Sequence, residues 1–173
     1  MTRRLFAVPV LCLLLACSLA GCSPKYNWRD YASPDAPYRV MFPAKPSTFT
    51  RNIDLDGMRV AMTMTAVDVD GATFAVGAAE APDAARAQAA LEAMQVALVR
   101  NIGATVTSQK ATSGDDRATR DVDARGTDHG VPMRLVGHFE ARGKRFYQVI
   151  VLGKTQALPP EQVAQFLTSF KLP

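Results

Sequence analysis

Residues 55–79, LDGMRVAMTMTAVDVDGATFAVGAA, contain two Asp-Gly pairs, Asp56-Gly57 and Asp70-Gly71, with twelve residues between them. In the intervening run Met58, Val60, Met62 and Met64 alternate with Arg59, Ala61, Thr63 and Thr65. A period of two puts successive side chains on opposite faces of a strand, so one face is apolar and one is mixed. Phe74, Val76 and Ala78 keep the same period after the second pair. Asp-Gly favours the positive φ angles of a two-residue hairpin turn, so the stretch predicts consecutive antiparallel strands, a meander. Asp54, Asp56, Asp68 and Asp70 are then turn residues. A calcium loop would need alternating carboxylates followed by a distant bidentate Glu, and neither pair continues that way.

The pattern extends in both directions. Upstream, Tyr38, Val40 and Phe42 alternate with Arg39 and Met41 up to Pro43, and Thr48–Leu55 forms the first arm of the meander. Downstream, Pro82-Asp83 opens a helix that runs to Ile102 and stops at Gly103. At 100° per residue Ala87, Leu91, Met94, Leu98 and Ile102 share one stripe, whereas Val96 and Val99 fall off it and are assigned to the outer face. Four strands are expected next: 104–112, 117–125 (an edge or one-sided strand), 131–140, and 145–153, the most apolar and therefore central one. Residues 126–130 are expected to be a turn. Pro159-Pro160-Glu161 starts a short helix with Val163, Phe166, Leu167 and Phe170 inward. The fold class is α+β: an antiparallel sheet of about seven to eight strands, flanked by a long central helix and a short C-terminal helix, in a sandwich.

The N-terminal segment has a different composition. Arg3 and Arg4 precede an uncharged run from Leu5 to Ala20. As a helix that run spans about 24 Å, short of a hydrocarbon core of roughly 30 Å. Leu19-Ala20-Gly21-Cys22 closes it and resembles the lipobox of bacterial lipoproteins. The resemblance implies a signal peptide over 1–21, cleavage before Cys22, and a thioether-linked diacylglycerol plus an N-acyl chain such as palmitate on Cys22. Three chains exceed what stable anchoring requires. Ser23 is not the Asp associated with inner-membrane retention in that class. The implied location is the cell envelope, and in a host with two membranes the outer membrane, facing the periplasm. Residues 22–36 are read as lipidated N-terminus and tether, and residues 37–173 as one domain.

Composition excludes several functions. The formal net charge of +4 falls by two when Arg3 and Arg4 leave with the signal, so there is no electrostatic footprint for nucleic acid. Cys12 and Cys17 leave as well and Cys22 is acylated, which removes disulfides, thiolate catalysis and Cys-based zinc. The chain contains no Gly-x-Ser-x-Gly elbow and no Gly-rich phosphate loop. His138 lies on the polar face of its strand, where a cross-strand partner or solvent is expected. His129 lies in a turn with Asp128, and a weak metal site from Asp121, Asp123, Asp128 and His129 is the alternative weighed for it. No metal and no cofactor are expected.

The order of elements resembles the family of DcrB-like envelope proteins and the photosystem II extrinsic subunit PsbP. It does so through Tyr38-Arg39-Val40-Met41-Phe42-Pro43, Arg145-Phe146-Tyr147-Gln148-Val149 and Phe166-Leu167-Thr168-Ser169-Phe170. The resemblance implies an α/β/α sandwich and carries over no functional residue. The functional expectation is a non-catalytic binding or accessory module held to the membrane through Cys22, with an envelope protein as partner. The candidate partner surface is Tyr26, Trp28 and Tyr31, with Val96 and Val99. The alternative is a periplasmic hydrolase or small-ligand protein that uses the polar sheet face.

Overall fold

The computed structural model describes residues 25–173, so the signal segment and Cys22 lie outside the described residues. The chain is a mixed α+β fold. Its first strands are β1 (Arg29–Ala32), β2 (Arg39–Phe42), β3 (Ser47–Leu55), β4 (Met58–Val69) and β5 (Ala72–Glu80). Helix α1 (Ala84–Asn101) follows, then β6 (Thr105–Ser113), β7 (Arg117–Asp128), β8 (Val131–Arg142), β9 (Arg145–Lys154) and helix α2 (Pro160–Ser169). Seven strands pair antiparallel in the order β3-β4-β5-β9-β8-β7-β6, and β1 and β2 form a separate two-stranded ribbon. Among the described residues no helix is long and apolar enough to cross a membrane.

The two Asp-Gly pairs act as their chemistry requires. Asp56 and Gly57 have φ of 53° and 83°, and Asp70 and Gly71 have 52° and 80°. These are the doubly positive turns whose twist matches that of the flanking strands. Asp54 secures the first by accepting from the Gly57 amide at 2.7 Å. His129 (φ 47°) and Gly130 (φ 80°) make a third turn of the same form, joining Asp128 to Val131. The expected turn over 126–130 therefore shrinks to two residues, and β7 runs on to Asp128. Gly126 is a glycine for another reason: a Cβ there would lie 2.7 Å from the Ala104 Cα and 2.8 Å from the Gly103 carbonyl oxygen. It permits the chain leaving α1 to approach the sheet closely.

Helix α1 starts where Asp83 Oδ1 accepts from the Arg86 amide at 2.8 Å, an N-cap bond. It ends at Gly103, whose φ of 56° suits a residue without Cβ. Ala87, Leu91 and Met94 pack with Met58, Val60, Met62, Met64, Leu135, Phe139, Phe146 and Ile150 in one core. Tyr38, Val40 and Phe42 of the ribbon pack with Phe74, Val76, Tyr147, Val149, Val151, Val163 and Phe166 in the other. Because consecutive β9 residues join different cores, the two lie on opposite faces of the sheet.

Some expectations need correction, and one resolves between its two alternatives. The Tyr38–Phe42 strand is not in the main sheet. Its residues 39–42 pair with β1, Arg39 bridges to Lys171, and the Met41 amide donates to Ser169 Oγ at 2.9 Å, so its free edge is occupied by the end of α2. Residues 29–32, assigned to the tether, supply β1. Strand β7 is one-sided, with Ala118, Val122 and Ala124 buried, but it is not an edge; the edges are β3 and β6.

Leu98 was placed on the buried stripe of α1, yet it is only half-buried, while Leu91 is 1% exposed. Leu91→Ala is expected to cost about 2–5 kcal/mol in urea unfolding, and Leu98→Ala distinctly less, because the cavity and transfer contributions scale with burial. Equal losses would mean that α1 is rotated relative to this packing.

Candidate functional site

Three surfaces carry the residues singled out in the sequence. The first is the aromatic cluster. Tyr26 and Trp28 stack with ring centroids 6.3 Å apart, and both meet Phe74 edge-on at 6.4 and 6.2 Å. The Trp28 indole N–H donates to Gln162 Oε1 at 3.1 Å, which ties the N-terminal segment to α2. Tyr31 meets Phe42 edge-on at 5.6 Å. All three aromatics are half-buried against the second core. The ring area that made them attractive as a contact surface is therefore largely engaged inside the domain.

The second surface is a groove of about 830 Å³ between α1 and the β3–β4 hairpin tip. Its floor is Ala89, Ala93, Val96 and Ala97, and its rim carries Asp54, Asp56, Arg86, Glu92 and Arg100. Val96 is 52% exposed, one of the most exposed large apolar side chains of the described chain. Val99, expected beside it, turns to the first core and is half-buried. The floor is mostly alanine, and the rim carries charges of both signs.

The third surface is polar. On the face of β7 and β8 away from α1, Asp121 lies directly across from His138. His138 Nδ1 is 2.6 Å from Asp121 Oδ1, and its Nε2 is 3.4 Å from Glu140 Oε2. Glu140 is only 5% exposed and also accepts from Arg117 Nε at 2.8 Å, with Arg142 at 3.8 Å. The Phe170 ring covers the imidazole at 6.3 Å. His138, Glu140, the two arginines and Phe170 line an open cleft of about 390 Å³ together with Leu167, Thr168, Lys171 and Leu172.

The electrostatics of this cluster favour its charged form. Burial alone would lower the His138 pKa, but the hydrogen bonds to Glu140 and Asp121 outweigh it and leave the pKa raised. Burial would likewise raise that of Glu140, but the bonds from His138 and Arg117 lower it. With a carboxylate on each ring nitrogen, His138 has no free lone pair to act as a general base. Thr168 is the only hydroxyl among the lining residues, and it donates to the Ala164 carbonyl at 2.7 Å. The arrangement fits a partly buried ion cluster between β7 and β8, with the Phe170 ring that follows α2 beside it.

Of the weighed metal site only Asp128 and His129 come together, with His129 Nε2 3.7 Å from Asp128 Oδ1. Asp121 faces His138, Asp123 accepts from Nε and Nη2 of Arg134 at 3.1 and 2.6 Å, and His129 projects from its turn with its side chain 96% exposed. Among the described residues no three His, Cys, Asp or Glu side chains gather around one point. Sequence reading missed Glu140, since a carboxylate on a strand's polar face normally points to water. The signal available was its neighbourhood: Arg142 and His138 flank it at i ± 2 on the same face. Compared with models of known families and with curated proteins, the chain matches none.

The raised pKa of His138 makes its stabilisation pH-dependent. It is fully present below the unfolded-state value near 6.5 and is lost as pH rises through the higher folded-state value. The lowered pKa of Glu140 works at the acid end, where its contribution is lost as pH falls below about 4.5 and through the folded-state value. Urea midpoints of the wild type should therefore fall as pH rises from neutrality, and His138→Gln should flatten that limb. An unchanged alkaline limb in the variant would mean that His138 is not paired in this way.

Proposed function

We propose that this chain is an envelope lipoprotein, anchored through acylated Cys22, whose domain works as a non-catalytic binding or accessory module. The anchor reading is supported by the sequence: the Arg3-Arg4 start, the uncharged run, and Leu19-Ala20-Gly21-Cys22. In a host with two membranes the site of residence is the outer membrane, facing the periplasm. The architecture we propose is the α/β/α sandwich of the PsbP and DcrB-like proteins, supported by the alternation of β9 residues between two cores.

The observation that favours binding over catalysis is the state of the polar groups. The one cleft built around a histidine has both ring nitrogens and its only hydroxyl already bonded within the chain. The groove on α1 instead leaves Val96 and its alanine floor uncovered. An envelope protein is the partner class that fits this groove, and Val96 is its central contact. The alternative, a hydrolase or small-ligand protein, would use the cleft at His138.

Two experiments separate these readings. Mass spectrometry of the mature protein should find Cys22 as the N-terminal residue carrying three acyl chains, and Cys22→Ser should remain unprocessed; an unmodified mature Cys22 contradicts the anchor. Site-specific crosslinking in the envelope from position 97, beside Val96, should give a defined adduct that Val96→Asp abolishes and His138→Gln leaves intact. The opposite pattern would move the function to the cleft.

A further inference from the structure

The anchor, if formed, fixes more than location. Lys25 lies three positions after Cys22, so its Cα lies within about 11 Å of the acylated residue even when the chain is fully extended. Lys25 is itself held in the fold: its ammonium pairs with Asp70, at the turn between β4 and β5. The following residues are held too, since the Asn27 amide donates to the Pro43 carbonyl at 2.7 Å and Tyr26 and Trp28 pack on Phe74. The leash is short, and the residues that follow Lys25 are packed on the fold.

The strand register shows which end of the sheet this is. Val69 pairs with Ala72, Ala72 with Gly153, and Lys154 with Met133, so the Asp70–Gly71 turn, the end of β9 and the start of β8 lie together. The His129–Gly130 turn projects just beyond them, and Ala157 touches the position of a Gly71 side chain at 3.9 Å. The Asp56–Gly57 tip lies at the other end of the twelve-residue strand β4, whose contour length is about 36 Å at roughly 3.3 Å per residue.

We propose that the domain stands upright on the bilayer, with the end carrying the Asp70–Gly71 and His129–Gly130 turns against the headgroups and the Asp56–Gly57 tip pointing away. This rests on the anchor reading above. Charge does not set the orientation, because Lys25 and Lys154 at this end are outnumbered by Asp70, Asp128 and Glu161. The covalent leash sets it, and the β3–β4 side of the α1 groove is thereby presented to proteins beyond the membrane surface.

The test uses the full-length, naturally processed protein in phosphatidylcholine vesicles that contain a nitroxide-headgroup lipid, a short-range quencher. With Cys22 acylated, a single added thiol can be labelled at either end: Gln156→Cys near the anchor, Arg59→Cys near the tip, both exposed positions. The fluorophore at 156 should be quenched several-fold more than that at 59. The difference should persist near 1 M salt, where the Debye length falls to about 3 Å. Equal or reversed quenching in protein that floats with the vesicles overturns the upright orientation while leaving the anchor intact. Failure to float, with an unmodified Cys22 by mass, overturns the anchor and the orientation with it.

Discussion

From Phe146 to Val151 strand β9 buries every side chain, sending Phe146, Gln148 and Ile150 towards α1 and Tyr147, Val149 and Val151 towards α2 and the ribbon. The rest of the fold follows from this two-sided burial. A strand with no wet face must be covered on both sides, so the chain has to supply two apolar layers from elements far apart in sequence. Helix α1 supplies one. The other comes from residues 26–42 and α2, elements at opposite ends of the described chain. Their meeting on β9 and β5 gives the domain its long-range closure.

The same burial explains how the polar groups behave. Thr65 is 1% exposed and is satisfied by Tyr38 Oη at 3.2 Å and Thr48 Oγ1 at 3.1 Å. Gln148, buried beside Gly77, finds Met64 Sδ at 3.4 Å. On the α1 face, Gln95 reaches Gln109 at 2.9 Å and receives Arg120 at 3.3 Å, fixing the helix to β6 and β7. An unpaired buried polar atom costs about 1–3 kcal/mol, so these bonds specify register and helix position as much as they stabilise. The ion cluster around Glu140 does the same for the pairing of β7 with β8.

How much of this was legible beforehand depended on the range of the interactions. The Asp-Gly turns, the caps of α1, the proline start of α2 and the alternation in β4, β5, β8 and β9 are local, and the sequence displays them directly. β9 was legible as central because an uninterrupted apolar run has only one place to go. The ribbon was not legible. Nothing within Tyr38–Phe42 says that it pairs with residues 29–32 and with Lys171 and not with β3; that depends on α2 arriving from more than a hundred residues away. Gly126 misled for a similar reason: its neighbour Ala104 is distant in sequence, so a glycine of close approach looks like a glycine of a turn. Within the candidate site Val96 was legible from the helical wheel. Val99 was not, because α1 presents a broader inward face than a single stripe, taking in Gln95 and Val99.

The account makes β9 the shared wall of two cores that fold as one unit. Native-state amide hydrogen exchange resolved by residue tests this most directly. The account predicts that the amides of Val149, Ile150 and Val151 exchange only through global unfolding and are the slowest in the domain, with both α1 and α2 opening at lower or equal free energy. If the β9 amides instead exchange through a local opening of lower free energy than that of α1 or α2, the two layers are independent and the central strand does not hold them together.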